Sequence, residues 1–111
     1  MLGLLSQCAE DSDDGVRTIA YRRLGEMHLD AAPVLPLIEK GLRDASPGVR
    51  SSACNVAANY GKAASSLLTL LNRLVTDDED ETVRSMAKDA VERIGRDANH
   101  EDPAASTTQA K

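Results

Sequence analysis

The stretch DSDDGVRTIA, residues 11–20, has two close counterparts later in this chain of 111 residues. They are DASPGVRSSA at 44–53 and DDEDETVRSMA at 77–87. In each, an alanine follows three residues after the arginine of a Val-Arg pair. The pairs begin at Val16, Val49 and Val83, so successive copies are 33 and 34 residues apart. A recurrence at this period is typical of stacked-repeat architectures, and we expect three copies of one structural unit.

Apolar residues also repeat before each of these stretches, and they indicate that each unit is a pair of helices. After the turn, apolar residues recur at helical spacing, for example at Val49, Ala53 and Val56. The turns hold Asp, Ser, Pro and Gly, which favour helix caps, so Asp13 or Asp14, Ser46 and Asp80 are the predicted N-caps. The apolar residues of the segments before the turns align one by one when each segment is shifted by the same number of residues. The three aligned sets are Leu2, Leu4, Leu5 and Ala9; Leu35, Leu37, Ile38 and Leu42; and Leu68, Leu70, Leu71 and Val75.

Composition agrees with a small helical domain. The chain has no Phe or Trp and two Tyr, so its core must be built from Leu, Val, Ile, Met and Ala. No apolar run approaches the length of a membrane span. Two cysteines, Cys8 and Cys54, do not make a disulfide framework, and we expect reduced thiols in a cytoplasmic protein.

The acidity of the chain is local. The net charge is −5, and the five acids of the run DDEDE at 77–81 carry −5 by themselves. Broad nucleic-acid binding usually needs a basic face, so this balance argues against it. An acid-rich helix N-terminus suits the helix dipole. The alternatives are a contact for a basic partner or a weak site for a hard cation.

The predicted unit, a short helix pair with aspartate at its turn and Val-Arg-x-x-Ala opening its second helix, resembles the HEAT repeat. It is most similar to the short HEAT repeats also found in bilin-lyase-like proteins, and the resemblance covers about residues 1–95. It implies an all-α fold, a right-handed α-α superhelix, or α-solenoid, of three helix pairs. The expected boundaries are a domain at 1–96 with repeats at about 1–28, 29–61 and 62–96, and a disordered polar tail at 97–111.

The resemblance also gives the turn aspartates a role. In the HEAT family such aspartates and arginines tend to form a hydrogen-bonded ladder between neighbouring repeats. A calcium loop fits the first stretch poorly, because Gly15, Val16 and Arg22 would occupy positions that need oxygen ligands, a glycine and a glutamate. The expected ladder residues are Asp11, Arg17, Asp44, Arg50, Asp77 and Arg84.

The expected function is a non-enzymatic scaffold or adaptor that binds a protein or peptide partner. In HEAT proteins the second helices line the concave side, so the resemblance implies a binding face there. Tyr21 is the expected anchor, since exposed Tyr and Arg are favoured at binding hot spots. An ordinary solvated face is the alternative. The candidate contacts are Tyr21, Arg22, Asn55, Asn59 and Lys88.

Other functions stay open at this point. The lyase-like resemblance implies an accessory role in bilin attachment to phycobiliproteins, and nucleic-acid binding by a helical repeat is a less favoured alternative. The pair His100-Glu101 resembles the iron-binding His-Glu pairs of HEAT-repeat hydroxylases, but it occurs once and in the expected tail. We therefore expect no metal, cofactor or catalytic residue. The first helix, Met1–Ala9, could leave an apolar flank for self-association.

Overall fold

The computed structural model describes the backbone of residues 2–100 and the side chains of residues 3–96. Within these residues the chain is helical and contains no strand, which confirms the all-α prediction. A 3₁₀ segment, Gly61–Leu67, precedes the fifth helix. The helices are α1 (Leu2–Ala9), α2 (Asp14–Glu26), α3 (Ala31–Leu42), α4 (Pro47–Tyr60), α5 (Leu68–Asp77) and α6 (Glu81–His100).

The helices form a stack of three hairpins. Helices α1 and α2 pack together, as do α3 with α4 and α5 with α6. The second helices of the hairpins also pack side by side, α4 contacting both α2 and α6. The first helices form the other layer, where α1 contacts α3 and the 3₁₀ segment contacts α3. This two-layered stack of helix pairs is an α-solenoid, as the resemblance to HEAT repeats implies.

Small and branched apolar side chains fill the space between the layers. Ala53 and Ala87 are fully buried, and Ala20 is nearly so. These alanines let the second helices approach closely, and Val49 and Ile38 fill the space around them without exposure to solvent. No aromatic side chain larger than Tyr is needed, because the helices of one hairpin and the next are close enough for aliphatic contacts.

The turns fix where the second helices begin. Asp13 caps α2, and its side chain accepts hydrogen bonds from the N–H groups of Gly15 and Val16. Asp80 does the same for α6 by accepting from the N–H of Val83 at 3.0 Å. Ser46 occupies the equivalent place before α4 but makes no side-chain cap bond. The proline that follows it starts α4 at a position where an N–H is not required.

The ends of α2 and α4 share an unusual backbone position. His28 has a φ of 50°, and Gly61, at the equivalent position of the second unit, has a φ of 56°. A residue of positive φ often follows the end of a helix, and glycine adopts a positive φ without the steric cost that a side chain brings. The first unit therefore carries a strained histidine where the second carries a glycine.

The last helix is longer than the sequence interpretation allowed. Disorder was expected from Asp97, but α6 continues to His100. The segment 97–100 contains no Gly or Pro that would stop a helix, and the next proline is Pro103. The remaining residues of the expected tail, 101–111, lie outside the described residues, and so does the His100-Glu101 pair as a side-chain site. Among the described residues, no helix is both long and apolar enough to cross a membrane.

Candidate protein-binding surface

A bidentate ion pair joins the first hairpin to the second. The Nε and Nη2 atoms of Arg17 donate to the two carboxylate oxygens of Asp44, each at 2.9 Å. The third nitrogen, Nη1, donates to the backbone carbonyl of Asp11 at 2.8 Å. One guanidinium thus holds its own turn and the turn of the next unit, and we call each such arginine with its partner carboxylate a rung.

The same arrangement joins the second hairpin to the third. Arg50 donates to the carboxylate of Asp78 at 2.8 and 3.0 Å, and its Nη1 donates to the carbonyl of Asp44 at 2.8 Å. The side chains of Arg50 and Asp78 are 12% and 4% exposed, against 17% and 13% for the first rung. The second rung is therefore the better shielded of the two.

The acid of the second rung is Asp78, and the expectation of Asp77 was wrong. Asp77 is exposed and is the last residue of α5. A constant interval between copies led to Asp77, but α5 runs two residues beyond Val75, the counterpart of the last residue of α3. The equivalent aspartate is the one six residues before each arginine: Asp11 before Arg17, Asp44 before Arg50 and Asp78 before Arg84.

Each of these three aspartates also folds its own turn. The Oδ1 atom accepts from the N–H two residues later, at 2.8 Å for Asp11 and at 2.9 Å for both Asp44 and Asp78. Burial alone would raise the pKa of Asp44, but the bonds from Arg17 and from the following turn outweigh it and lower the pKa. Asp78 shows the same balance, with burial opposed by Arg50, and its pKa is also lowered. Both carboxylates are therefore held in their charged form.

Tyr21 belongs to the core and does not lie on a binding surface, contrary to the sequence expectation. Its side chain is 1% exposed, and its hydroxyl donates to the carbonyl of Leu37 at 2.7 Å. Burial, followed by the nearby Asp44 carboxylate, raises the pKa of Tyr21 to about 12. The expectation failed because positions were counted along α2 alone. That count does not show that α3 of the next hairpin covers Tyr21.

The ring of Tyr21 occupies space that Gly41 leaves open. A Cβ atom at Gly41 would lie 2.7 Å from Cζ of Tyr21 and 2.9 Å from Cβ of Ala53. A glycine inside a helix ordinarily weakens it. The missing side chain of Gly41 instead lets the tyrosine of one hairpin pass beneath the first helix of the next.

The other four candidate contacts are exposed on the second helices. We call Arg22 of α2, Asn55 and Asn59 of α4, and Lys88 of α6 the polar row. Asn59 accepts a hydrogen bond from Nη2 of Arg93 at 3.3 Å, so α4 and α6 are linked at this surface. The row is a mixture of amides and cations presented by three adjacent helices.

A groove between the first helices was not expected from the sequence. It has a volume of about 410 Å³ and lies between α3 and the segment formed by the 3₁₀ turn and α5. Leu35, Pro36 and Leu70 are among its apolar lining residues, and Arg43 and Arg73 are its cationic ones. The sequence signal for it was weak, because the 3₁₀ segment that forms one wall has no counterpart in the other described units.

The cysteines and acidic run offer little reactive chemistry. Cys54 is buried, and burial, followed by the Asp78 carboxylate, raises its thiol pKa to about 12, so it is not a thiolate at neutral pH. In the run 77–81, Asp78 forms a rung with Arg50, and Asp80 caps α6. Within the part of the chain that the structure describes, no three His, Cys, Asp or Glu side chains are grouped as a metal site would require.

Comparison with known protein families adds one match. The family model for HEAT repeats matches residues 1–92 of the chain. That range runs from α1 through most of α6 and so includes all three hairpins. No curated protein matches the sequence.

Proposed function

This chain belongs to the HEAT-repeat family, and on that premise we propose that it is a non-enzymatic scaffold that binds a protein or peptide partner on its polar row. Stacked helical repeats offer extended surfaces of this kind for binding. We place the protein in the cytoplasm, a proposal supported by its free cysteines, Cys8 and Cys54. The proposed partner contacts are Arg22, Asn55, Asn59 and Lys88.

The pair of amides on the central helix is the observation that supports this surface most strongly. Asn55 and Asn59 are four residues apart on α4, so their side chains lie one turn apart on the same face. An amide carries both a donor and an acceptor, as a peptide backbone does. Two exposed amides at this spacing suit an extended peptide that lies across the second helices.

The charges on either side suggest what the peptide carries. Arg22 lies on α2 and Lys88 on α6, the two helices that pack against α4, and both side chains are exposed. Neither cation makes a hydrogen bond or ion pair with another described side chain. We therefore propose an extended partner segment with acidic residues placed on both sides of its central contact. The rungs support the surface by keeping α2, α4 and α6 in fixed relative positions.

A peptide library can test this proposal directly. Random peptides would be selected on the immobilised protein, and the Kd of enriched sequences would be measured by fluorescence anisotropy. We expect acidic motifs, and we expect N55A/N59A and R22E/K88E each to weaken binding about tenfold or more. The matched control is R43E/R73E, which makes the same change of charge in the groove between α3 and α5. We expect it to leave the Kd within about twofold.

Two outcomes would contradict the proposal. Selection could yield no peptide whose affinity depends on the polar row, or binding could be lost only in R43E/R73E, which would assign the site to the groove. The bilin-attachment and nucleic-acid functions rest on resemblance and composition alone. No contact among the described residues favours either of them over the scaffold function.

A further inference from the structure

At one end of the described stack the series of rungs stops at Arg84, whose Nε and Nη2 atoms hold no described carboxylate. Nη1 of Arg84 donates to the carbonyl of Asp78 at 2.6 Å, which is the same contact that Arg17 and Arg50 make with their own turns. In those two arginines the Nε and Nη2 atoms hold an aspartate of the next hairpin. Among side chains 3–96, no carboxylate pairs with this edge of Arg84.

The other end of the stack carries the matching acid. Asp11 folds its turn through Oδ1, as Asp44 and Asp78 do, and its side chain is exposed. No arginine side chain among the described residues pairs with its carboxylate, since Arg17 reaches only its backbone carbonyl. The stack thus has a donor end at Arg84 and an acceptor end at Asp11, each already held in the geometry of a rung.

We propose that two copies of this chain dock head to tail, with Asp11 of one copy accepting from Arg84 of the other. The contact extends the ladder by one rung. Because the two surfaces differ, this is a heterologous interface, and its repetition makes open chains of copies and not a closed symmetric dimer. Lys88 lies five residues after the valine of its repeat, as the buried Tyr21 and Cys54 do, so docking would cover this one member of the polar row.

Exposed apolar side chains support a contact at the acceptor end. Leu4 and Ile19 are the large hydrophobic residues exposed in the described chain, at 62% and 53%. Their counterparts in later hairpins, such as Leu37 and Met86, are partly buried against the core. Leu37 shares a helix face with Gly41, four residues later, and Gly41 lies against Tyr21 of the preceding hairpin. Leu4 therefore points to the side that a docked copy would cover.

Charges elsewhere on the two ends are also complementary. Where the first and second hairpins meet, a Cβ built at Gly25 lies 3.3 Å from the amide nitrogen of Asn59 and 3.4 Å from a methyl of Val56. Glu92 stands in the third hairpin where Gly25 stands in the first, both nine residues after the valine of the repeat. Arg23 in the first hairpin likewise corresponds to Val56 in the second, because each lies seven residues after the valine of its repeat. Repeating the junction between copies places Glu92 near Arg23, which is favourable, but also near Glu26, the counterpart of Asn59. The hydrogen bond from Arg93 to Asn59 at the second junction corresponds to Arg93 opposite Glu26 between copies, which is a favourable pairing of charges.

Complementation between two blocked variants tests this geometry. Asp11→Asn removes the charge of the acceptor end but keeps Arg84, and Arg84→Met removes the donor end but keeps Asp11. In sedimentation velocity we expect the wild type to form species that grow with concentration, and each variant alone to weaken association about tenfold or more. An equimolar mixture should form dimers and nothing larger, because only one functional junction remains. Far-UV circular dichroism would verify that both variants are folded.

A second pair of variants keeps the test valid if a substitution in the turn disturbs folding. Arg93→Glu should weaken association, and adding Glu26→Arg in the same chain should restore it. A wild type that stays monomeric at millimolar concentration would overturn the proposal. So would association that persists in Arg84→Met and Asp11→Asn but is lost on Leu4→Ser, since that result indicates a symmetric contact through the apolar flank.

Discussion

Adjacent aspartates at the third turn offer a sharp test of the rungs. Asp78 holds Arg50 through two hydrogen bonds of 2.8 and 3.0 Å and is 4% exposed, whereas Asp77 is exposed and belongs to no rung among the described side chains. Asp78→Asn keeps an oxygen for the N–H of Asp80 but removes the charge and one acceptor. We predict that it lowers the free energy of unfolding and that Asp77→Asn barely changes it.

The magnitude follows from the shielding of the pair. Hydrogen bonds to charged groups contribute about 1.5–3 kcal/mol, and removing one partner of a buried pair costs about 3–5 kcal/mol. Since Arg50 keeps 12% exposure and its bond to a carbonyl, we expect a loss of about 2–3 kcal/mol. For a domain of this size that lowers Tm by roughly 10–20 °C. Asp77→Asn should stay within about 0.5 kcal/mol of the wild type.

Urea unfolding followed by far-UV circular dichroism at pH 7 measures both variants under one condition. The reasoning is refuted if the two variants lose equal stability, or if Asp78→Asn costs less than about 0.5 kcal/mol. Equal m-values for the three proteins would verify that the substitutions act on the folded state and not on the extent of unfolding.

Three further predictions follow from individual contacts. Gly41→Ala should lower stability by about 1–2 kcal/mol in urea unfolding, because the clash with Tyr21 outweighs the better helix propensity of alanine; an unchanged or raised midpoint would show that the ring can shift. His28→Gly should raise stability by about 1 kcal/mol, since glycine accepts the φ of 50° without strain, and a lower Tm would contradict this. The pKa values of Asp44 and Asp78 are lowered on folding, so their stabilisation is complete above the ordinary value of 3.8 and is lost as the pH falls through the folded values. Asp44→Asn/Asp78→Asn should therefore flatten the acid limb of a stability–pH curve measured by urea midpoints, and an unchanged slope would argue against the rungs as its cause.

The helix pairs could be predicted well because burial of one helix face requires apolar residues at helical spacing, and that spacing is visible in the sequence. The alanines at 20, 53 and 87 and the valines at 49 and 83 are all buried where helical spacing placed them. Cap residues were predicted equally well at Asp13 and Asp80, since capping depends on local chemistry alone. Local features of this kind need no knowledge of neighbouring hairpins.

Features that depend on two hairpins were harder to predict. Tyr21 was assigned to the surface because counting along α2 does not show that α3 covers it. Gly41 carried the missing signal, since a buried glycine inside a helix indicates a close neighbour. Asp77 was chosen over Asp78 because a fixed period ignored the extra residue before the third turn. The separation between each arginine and its turn aspartate is constant within the chain and would have identified Asp78.

The coupling between Arg50 and Asp78 tests most directly whether ladder contacts join the hairpins. A double-mutant cycle with Arg50→Met, Asp78→Asn and the combined variant would measure it from urea unfolding free energies. If ladder contacts join the hairpins, we expect a coupling energy of about 1.5 kcal/mol or more between the two residues. A coupling below about 0.3 kcal/mol would contradict the ladder as the link between the second and third hairpins.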